Sequence, residues 1–354
     1  MRTIARLQRA LSWLGGLLLL GQFLSLPVQA AQVELPPAVQ SLVAKARAER
    51  EVAIFVSTDA RAGEPARILA DAIEADLGVR LVVKLVSGAP DPIYVNQMVQ
   101  EHKAGVKPKI DLLATVPPLL VTMRQAGLVA AVDWGALGIK SDEVASGLNA
   151  VYVAEIARPV IYNTKAVSAQ DVPRSIDDLL APRWKNKIVS SQLPDLFTTW
   201  AIGLGPDKAV ELVQKLVKQQ EMAFAPVPLA IRTQVASGQF PIGFGIRIGK
   251  ELQAAKAPVA YAPIKAPVMP RLAVVVEGSA SPAAAALIGW WMNNTASGRR
   301  LIADVLDWPR HTTPGTDLYE LAKMTGGMSV APITWWTDEF PAINARIDAA
   351  LRAR

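Results

Sequence analysis

Between residues 51 and 127 the chain alternates three short apolar runs with three segments of helical periodicity, and few folds accept that pattern. The runs at 52–56, 81–86 and 110–116 have strand length and composition. From Glu64, the residues Ile68, Leu69, Ala72, Ile73 and Leu77 share one helical face, and Gly78 marks its stop. Asp91-Pro92 reads as an N-cap followed by proline at the first helical position, and Val95, Met98, Val99 and His102 recur behind it at helical spacing. Pro117 opens a third helix that ends at Gly127. Such β-α-β-α-β-α order with short connections predicts a mostly parallel sheet covered by helices. Ligands of open α/β sheets bind beyond the carboxyl ends of the strands. That rule makes Ser57, Thr58, Ser87 and Thr115 candidate binding residues, although each also suits a helix cap or a turn. No phosphate-cradling glycine loop occurs at these ends.

The first thirty residues read as a secretory leader. Arg2, Arg6 and Arg9 form a basic, acid-free head, and an apolar run spans 11–26. Small residues stand at the expected cut after Ala30. A membrane anchor fits less well, because the run is short for the roughly 20 residues of a span and lacks a stop-transfer charge cluster. The formal charge is +6, and removing the three leader arginines leaves +3. The positive residues are scattered, so no nucleic-acid partner is expected. There is no cysteine, which excludes disulfides, thiolate metal sites, a cysteine nucleophile and a lipid-anchored N-terminus. The two histidines, His102 and His311, have no zinc-site or catalytic-triad spacing.

Beyond residue 150 the pattern changes. An extended stretch at 151–162 contains Arg158-Pro159, and a proline-bearing segment runs over 258–270. Amphipathic helices are expected over 206–220, on Val210, Val213, Leu216 and Val217, and over 229–237. Strands are expected at 241–246 and 272–276, and Ser281-Pro282 opens a helix through Trp290 and Trp291.

Several ordered stretches resemble the family 1 extracellular solute-binding proteins of bacterial ABC importers. They are Ile161-Tyr162-Asn163-Thr164-Lys165, then Val172-Pro173-Arg174-Ser175-Ile176-Asp177-Asp178-Leu179 running into Trp184-Lys185-Asn186-Lys187-Ile188. Val235-Ala236-Ser237-Gly238-Gln239 and Val275-Val276-Glu277-Gly278-Ser279-Ala280-Ser281-Pro282 follow, with Ser297-Gly298 after the Trp-containing helix. Asn186 stands where the family usually has glycine. The resemblance implies an α/β, two-lobed periplasmic binding protein of type II, with helices flanking a mostly parallel sheet in each lobe. The expected division is a leader at 1–30, one lobe from 31–150 and 268–315, and the other from 156–258 and 316–354, with hinge segments near 151–158 and 258–266. The tail helix would bury Ile343, Ile347 and Leu351 on the second lobe.

The implied task is to trap a small solute by hinge closure in the periplasm and hand it to an inner-membrane permease, as a monomer, with no cofactor and no catalytic residue. From the second lobe, the loop over 192–200 supplies Gln192, Phe197, Thr198 and Trp200 as candidate contacts, with Phe197 or Trp200 stacking on ligand. Arg247, after Gly243-Phe244-Gly245-Ile246, is expected to pair with an anionic ligand group. Such aromatics are equally at home in a core, and such an arginine in solvent. No two of the five tyrosines are adjacent, so a bare ferric ion held by a tyrosine pair is not expected, whereas iron with a bridging anion stays open. A small polar or anionic organic solute is the favoured ligand and no metal site is expected. A ferric-iron or iron-complex binding protein of the same fold, a ligand-sensing subunit of a membrane receptor and a secreted hydrolase are the alternatives.

Overall fold

A computed structural model describes residues 35–56, 63–87 and 90–353. The leader, with its cut after Ala30, and Ser57 and Thr58 lie outside the described residues. Residues 36–354 form one compact unit. No helix among the described residues is long and apolar enough to cross a membrane.

Two sheets organise that unit. The first has six strands in the order β2 (Val82–Val86), β1 (Glu51–Phe55), β3 (Leu112–Thr115), β11 (Val268–Val275), β5 (Ala150–Ala157) and β4 (Val144–Ala145). The second has five, in the order β10 (Val259–Tyr261), β6 (Val160–Asn163), β9 (Ile242–Phe244), β7 (Ile188–Ser190) and β8 (Ala223–Phe224). The expected β-α-β units account for the parallel pairs β1–β2 and β1–β3, and for β7–β8 and β7–β9. Both sheets are nevertheless mixed. β5 and β11 pair antiparallel in the first, and β6 pairs antiparallel with β9 and β10 in the second. These are the strands on either side of the passages from sheet to sheet, so they run into each sheet without a helical crossover to make them parallel.

The chain passes between the sheets first at Arg158-Pro159, between β5 and β6, and returns over 262–267, between β10 and β11. β5 stays in the first sheet to Ala157, so the first passage is shorter than the stretch expected from sequence. β11 extends through Pro270, which lacks an N–H. Glu155 opposite it donates its own N–H to Pro309 O, and the register shifts between Arg271 and Leu272.

Helices form where the periodicity expects them. The helix Glu64–Leu77 buries Leu69, Ile73 and Leu77 and ends at Gly78 in the left-handed region, at φ +63°. The helix Pro206–Lys218 buries Leu212, Val213, Leu216 and Val217 in the second core. The helix Pro282–Asn294 is enclosed almost completely, as expected of a segment apolar all round. Its first turn is capped from outside by the Glu49 carboxylate, which accepts from Ala283 N at 3.1 Å and Ala284 N at 2.7 Å. The tail helix Phe340–Arg352 packs Ile343, Ile347 and Leu351 into the core that covers the second sheet.

Candidate functional site

β3 ends at Thr115 against the start of the helix Asp91–Lys103, and both lie beside Arg271 of β11. Thr115 is fully buried and its Oγ1 donates to Asp91 Oδ2 at 2.9 Å. Arg271 is the one cation in an otherwise apolar strand. Its Nη1 donates to Ala114 O at 2.7 Å and to Asp91 Oδ2 at 3.2 Å, and its guanidinium lies 4.8 Å from the ring centre of Trp308. Asp91 is the first residue of its helix, not the N-cap expected from sequence; Pro90 holds that place. Its carboxylate is turned to the buried arginine and threonine. Burial pulls the Arg271 pKa below its usual value; Asp91 opposes that pull and the nearby positive charge of Arg158 adds to it. The group stays a guanidinium cation all the same.

Arg158, at the first passage between the sheets, acts on Arg271 through its charge but makes its own ion pair. Its Nη2 lies 2.6 Å from Asp195 Oδ2, and Asp195 stands in the first turn of the helix Pro194–Thr198 that follows β7. The arginine side chain is 13% exposed and the aspartate 33%, so the aspartate is the more accessible member. Two buried polar atoms in this network have no partner: Asp91 Oδ1, an acceptor, and Arg158 Nε, a donor. Buried polar atoms are nearly always satisfied, so these two are capable of taking a further partner. Close by in the second sheet, a hollow of about 430 Å³ opens beyond the ends of β7 and β8, lined by Ser191, Gln192, Leu193, Phe224, Ala225 and Pro226.

The residues singled out from the sequence fall into distinct places. Thr115 belongs to the network, Gln192 lines the hollow, and Ser87 is exposed at the end of β2. Phe197, Thr198 and Trp200 are corrected to core positions. The segment expected as a loop begins a helix at Pro194, and that helix turns its apolar face inward. Phe197 is 1% exposed and stacks on Phe244 at 5.3 Å, and Trp200 lies 5.4 Å from the same ring. Thr198 Oγ1 is spent on Pro194 O and Asn344 Oδ1, both at 2.9 Å.

Arg247 is corrected as well. Its Nη2 donates to Asp317 at 2.9 Å and Asp307 at 3.2 Å, while the Tyr261 hydroxyl donates to Asp317 Oδ2 at 2.6 Å. Burial alone would lower the Arg247 pKa, and the two aspartates outweigh it and raise it. Burial and then Asp317 push the Tyr261 phenol up, and burial raises the Asp307 carboxyl. The cation is part of an internal ion cluster. The residues that sequence reasoning passed over are Asp91, Arg158 and Arg271. A lone arginine within an apolar strand was the available signal, since a buried charge needs partners.

Among the described residues no group of three His, Cys, Asp or Glu side chains could hold a metal ion. Two of the five tyrosine hydroxyls are bonded to carboxylates, Tyr152 to Glu155 at 2.8 Å and Tyr261 to Asp317 at 2.6 Å, and the Tyr94 ring stacks on Phe55 at 4.0 Å.

Residues 123–297 match the family model described as bacterial extracellular solute-binding protein. Over that segment, just under half of the chain, the sequence is similar to the bacterial extracellular solute-binding proteins. The match spans both passages between the sheets, together with Arg158, Asp195 and Arg271. No curated protein matches the sequence. Solved structures of the same fold include iron-bound HitA from Pseudomonas aeruginosa, with a TM-score of 0.62 at 16% identity over 84% of this chain and 99% of that one. The substrate-binding protein of an ABC transporter from Agrobacterium tumefaciens gives 0.64 at 15%, over 87% and 97%. The Trichodesmium IdiA/FutA protein in complex with iron and citrate gives 0.62 at 16%, over 85% and 99%. The fold is that of the type II periplasmic binding proteins: two mixed sheets flanked by helices and joined by two extended passages.

Proposed function

We propose that this solute-binding protein takes an organic anion, such as a carboxylate, into the cleft between its two sheets, and that Arg158 and Arg271 provide the positive wall. The observation that carries this reading is the placement of two guanidinium groups, buried Arg271 and half-buried Arg158, close enough for the charge of one to act on the other. The carboxylate paired with Arg158, Asp195 in the helix after β7, is one-third exposed. A ligand carboxylate could take Asp195's place on Arg158 and engage the Nε that has no partner. Asp91 Oδ1 offers an acceptor to a hydroxyl or amine on the same molecule. Thr115, bonded to Asp91, is the neighbouring polar group on the first sheet. Closure of the two bodies on the ligand follows from contacts made by both, since a ligand shifts an equilibrium only by its differential affinity for the two states.

The setting of the reading is a periplasm, with the leader removed after Ala30. The mature chain works as a monomer, returns its ligand unchanged and delivers it to an inner-membrane ABC permease. A calorimetric and thermal-shift panel tests it, comprising di- and tricarboxylates, amino acids, phosphonates, sugars, putrescine, ferric chloride and ferric citrate. An organic anion should bind and shift the melting point, and the diamine should not. Binding of putrescine alone, or of ferric chloride without an organic anion, would overturn the ligand class while leaving the transport role intact. Turnover of the bound molecule would overturn the role itself.

A further inference from the structure

A second cavity, of about 470 Å³, lies outside the network just described, among the helical cover of the second sheet. Its walls come from the helix Pro206–Lys218, the short helix Ala201–Leu204, the turn at 175–180, and Ile264, Lys265 and Pro267 of the return passage. The volume is that of a small-molecule site. Its apolar lining includes Leu204, Leu212 and Ile264, and one edge is the indole of Trp200. That indole is 3% exposed and its Nε1 is buried without a hydrogen-bond partner. Indole nitrogen is a donor only, so the group it lacks is an acceptor.

The rim supplies the sign of the charge. Lys208, Lys215 and Lys265 line the cavity against Asp177 and Glu211, leaving net positive charge. Lys215 is held by Glu211 at 2.6 Å, whereas Lys208 and Lys265 have no ion pair among the described residues. Lys265 sits in the return passage itself, and Ser329, also in the wall, is tied to that passage: Ser329 N donates to Ala266 O at 2.9 Å and Val268 N to Ser329 O at 3.0 Å.

We propose that this cavity is a second ligand site, for an amphipathic organic anion. The apolar body packs beside Trp200 and the anionic head takes the Trp200 Nε1–H together with Lys208 and Lys265. The inference does not depend on what the interlobe cleft holds.

Naphthalene-2-sulfonate is a suitable probe, titrated calorimetrically into the mature chain, with neutral 2-naphthol as the uncharged control. The expected result is saturable binding of one sulfonate per chain and markedly weaker binding of the naphthol. Lys208→Gln/Lys265→Gln, which alters only exposed side chains, should weaken the sulfonate about tenfold, and so should Trp200→Phe, which keeps the aromatic bulk and deletes the donor. Should Trp200→Phe fail to fold, the double lysine variant decides alone. Absence of saturable binding, or unchanged affinity in either folded variant, would overturn the proposal.

Discussion

Arg247→Leu separates an internal ion cluster from a ligand contact, and the structure sets its size. The arginine and Asp317 are 14% and 15% exposed and lie 2.9 Å apart, so the pair is shielded from solvent. Deleting one member of a buried pair leaves the other uncompensated, at about 3–5 kcal/mol. Tyr261 continues to donate to Asp317 at 2.6 Å, and Asp307, at 43% exposed, can take up water. Both place the loss near the lower end, roughly 3 kcal/mol. Unfolding entropy of about 2.1 cal/mol/K per residue, applied to the unit over residues 36–354, converts this to a fall in melting temperature of about 4–5 °C. Differential scanning calorimetry reads that fall directly. Arg247→Leu/Asp317→Leu should recover most of it, because a buried pair exchanged for apolar side chains of similar volume is often neutral. Affinity for the cleft ligand should stay within about twofold. A melting point within about 1 °C of the parent chain, or a tenfold loss of affinity without loss of stability, would refute the assignment.

Further outcomes follow from particular contacts. Gly245→Ala should destabilise by about 2–4 kcal/mol in urea denaturation: the residue sits at φ +73°, and a Cβ there would come within 2.1 Å of Leu196 Cδ2. Glu143 gives a pH signature. Burial by itself would raise its carboxyl, but the Arg310 guanidinium at 2.7 Å and Asn293 outweigh burial and hold it below the ordinary value of 4.5. The stability it contributes is therefore full above about pH 4.5 and fades as pH falls through its folded value. Glu143→Gln should flatten that acid limb in melts between pH 6 and 3; an unchanged limb would show that other carboxylates carry it. Glu49→Ala removes the acceptor for Ala283 N and Ala284 N, and should lower stability by about 1–2 kcal/mol.

What could be read from the sequence was governed by how local its cause is. The helices Glu64–Leu77 and Pro206–Lys218 were legible because periodicity and a terminal glycine or proline lie within one segment. The strand-end rule led to Thr115 for the same reason. Arg247 was not legible, since its partners Asp307 and Asp317 stand 60 and 70 residues further along the chain. The segment at 192–200 carried its own warning: Pro194 is a helix-opening residue, and large aromatics such as Phe197 and Trp200 are claimed by a core before a ligand. Arg271 and Asp91, 180 residues apart, meet only through the antiparallel return of β11 beside β3. Of that pair, the lone charge in an apolar strand was visible, and its partner was not.

The central claim is that Arg158, freed from Asp195, receives the anionic group of the solute. Its most direct test is the affinity of Arg158→Ala for the best-binding organic anion of the panel, measured by calorimetry beside the parent chain. Loss of a charge-assisted contact of about 1.5–3 kcal/mol predicts weakening of roughly tenfold to a hundredfold. The stabilisation of about 2.7 kcal/mol expected for the parent at a hundred times Kd should shrink accordingly at the same solute concentration. Equal affinity in parent and variant, with the variant folded, would contradict the account.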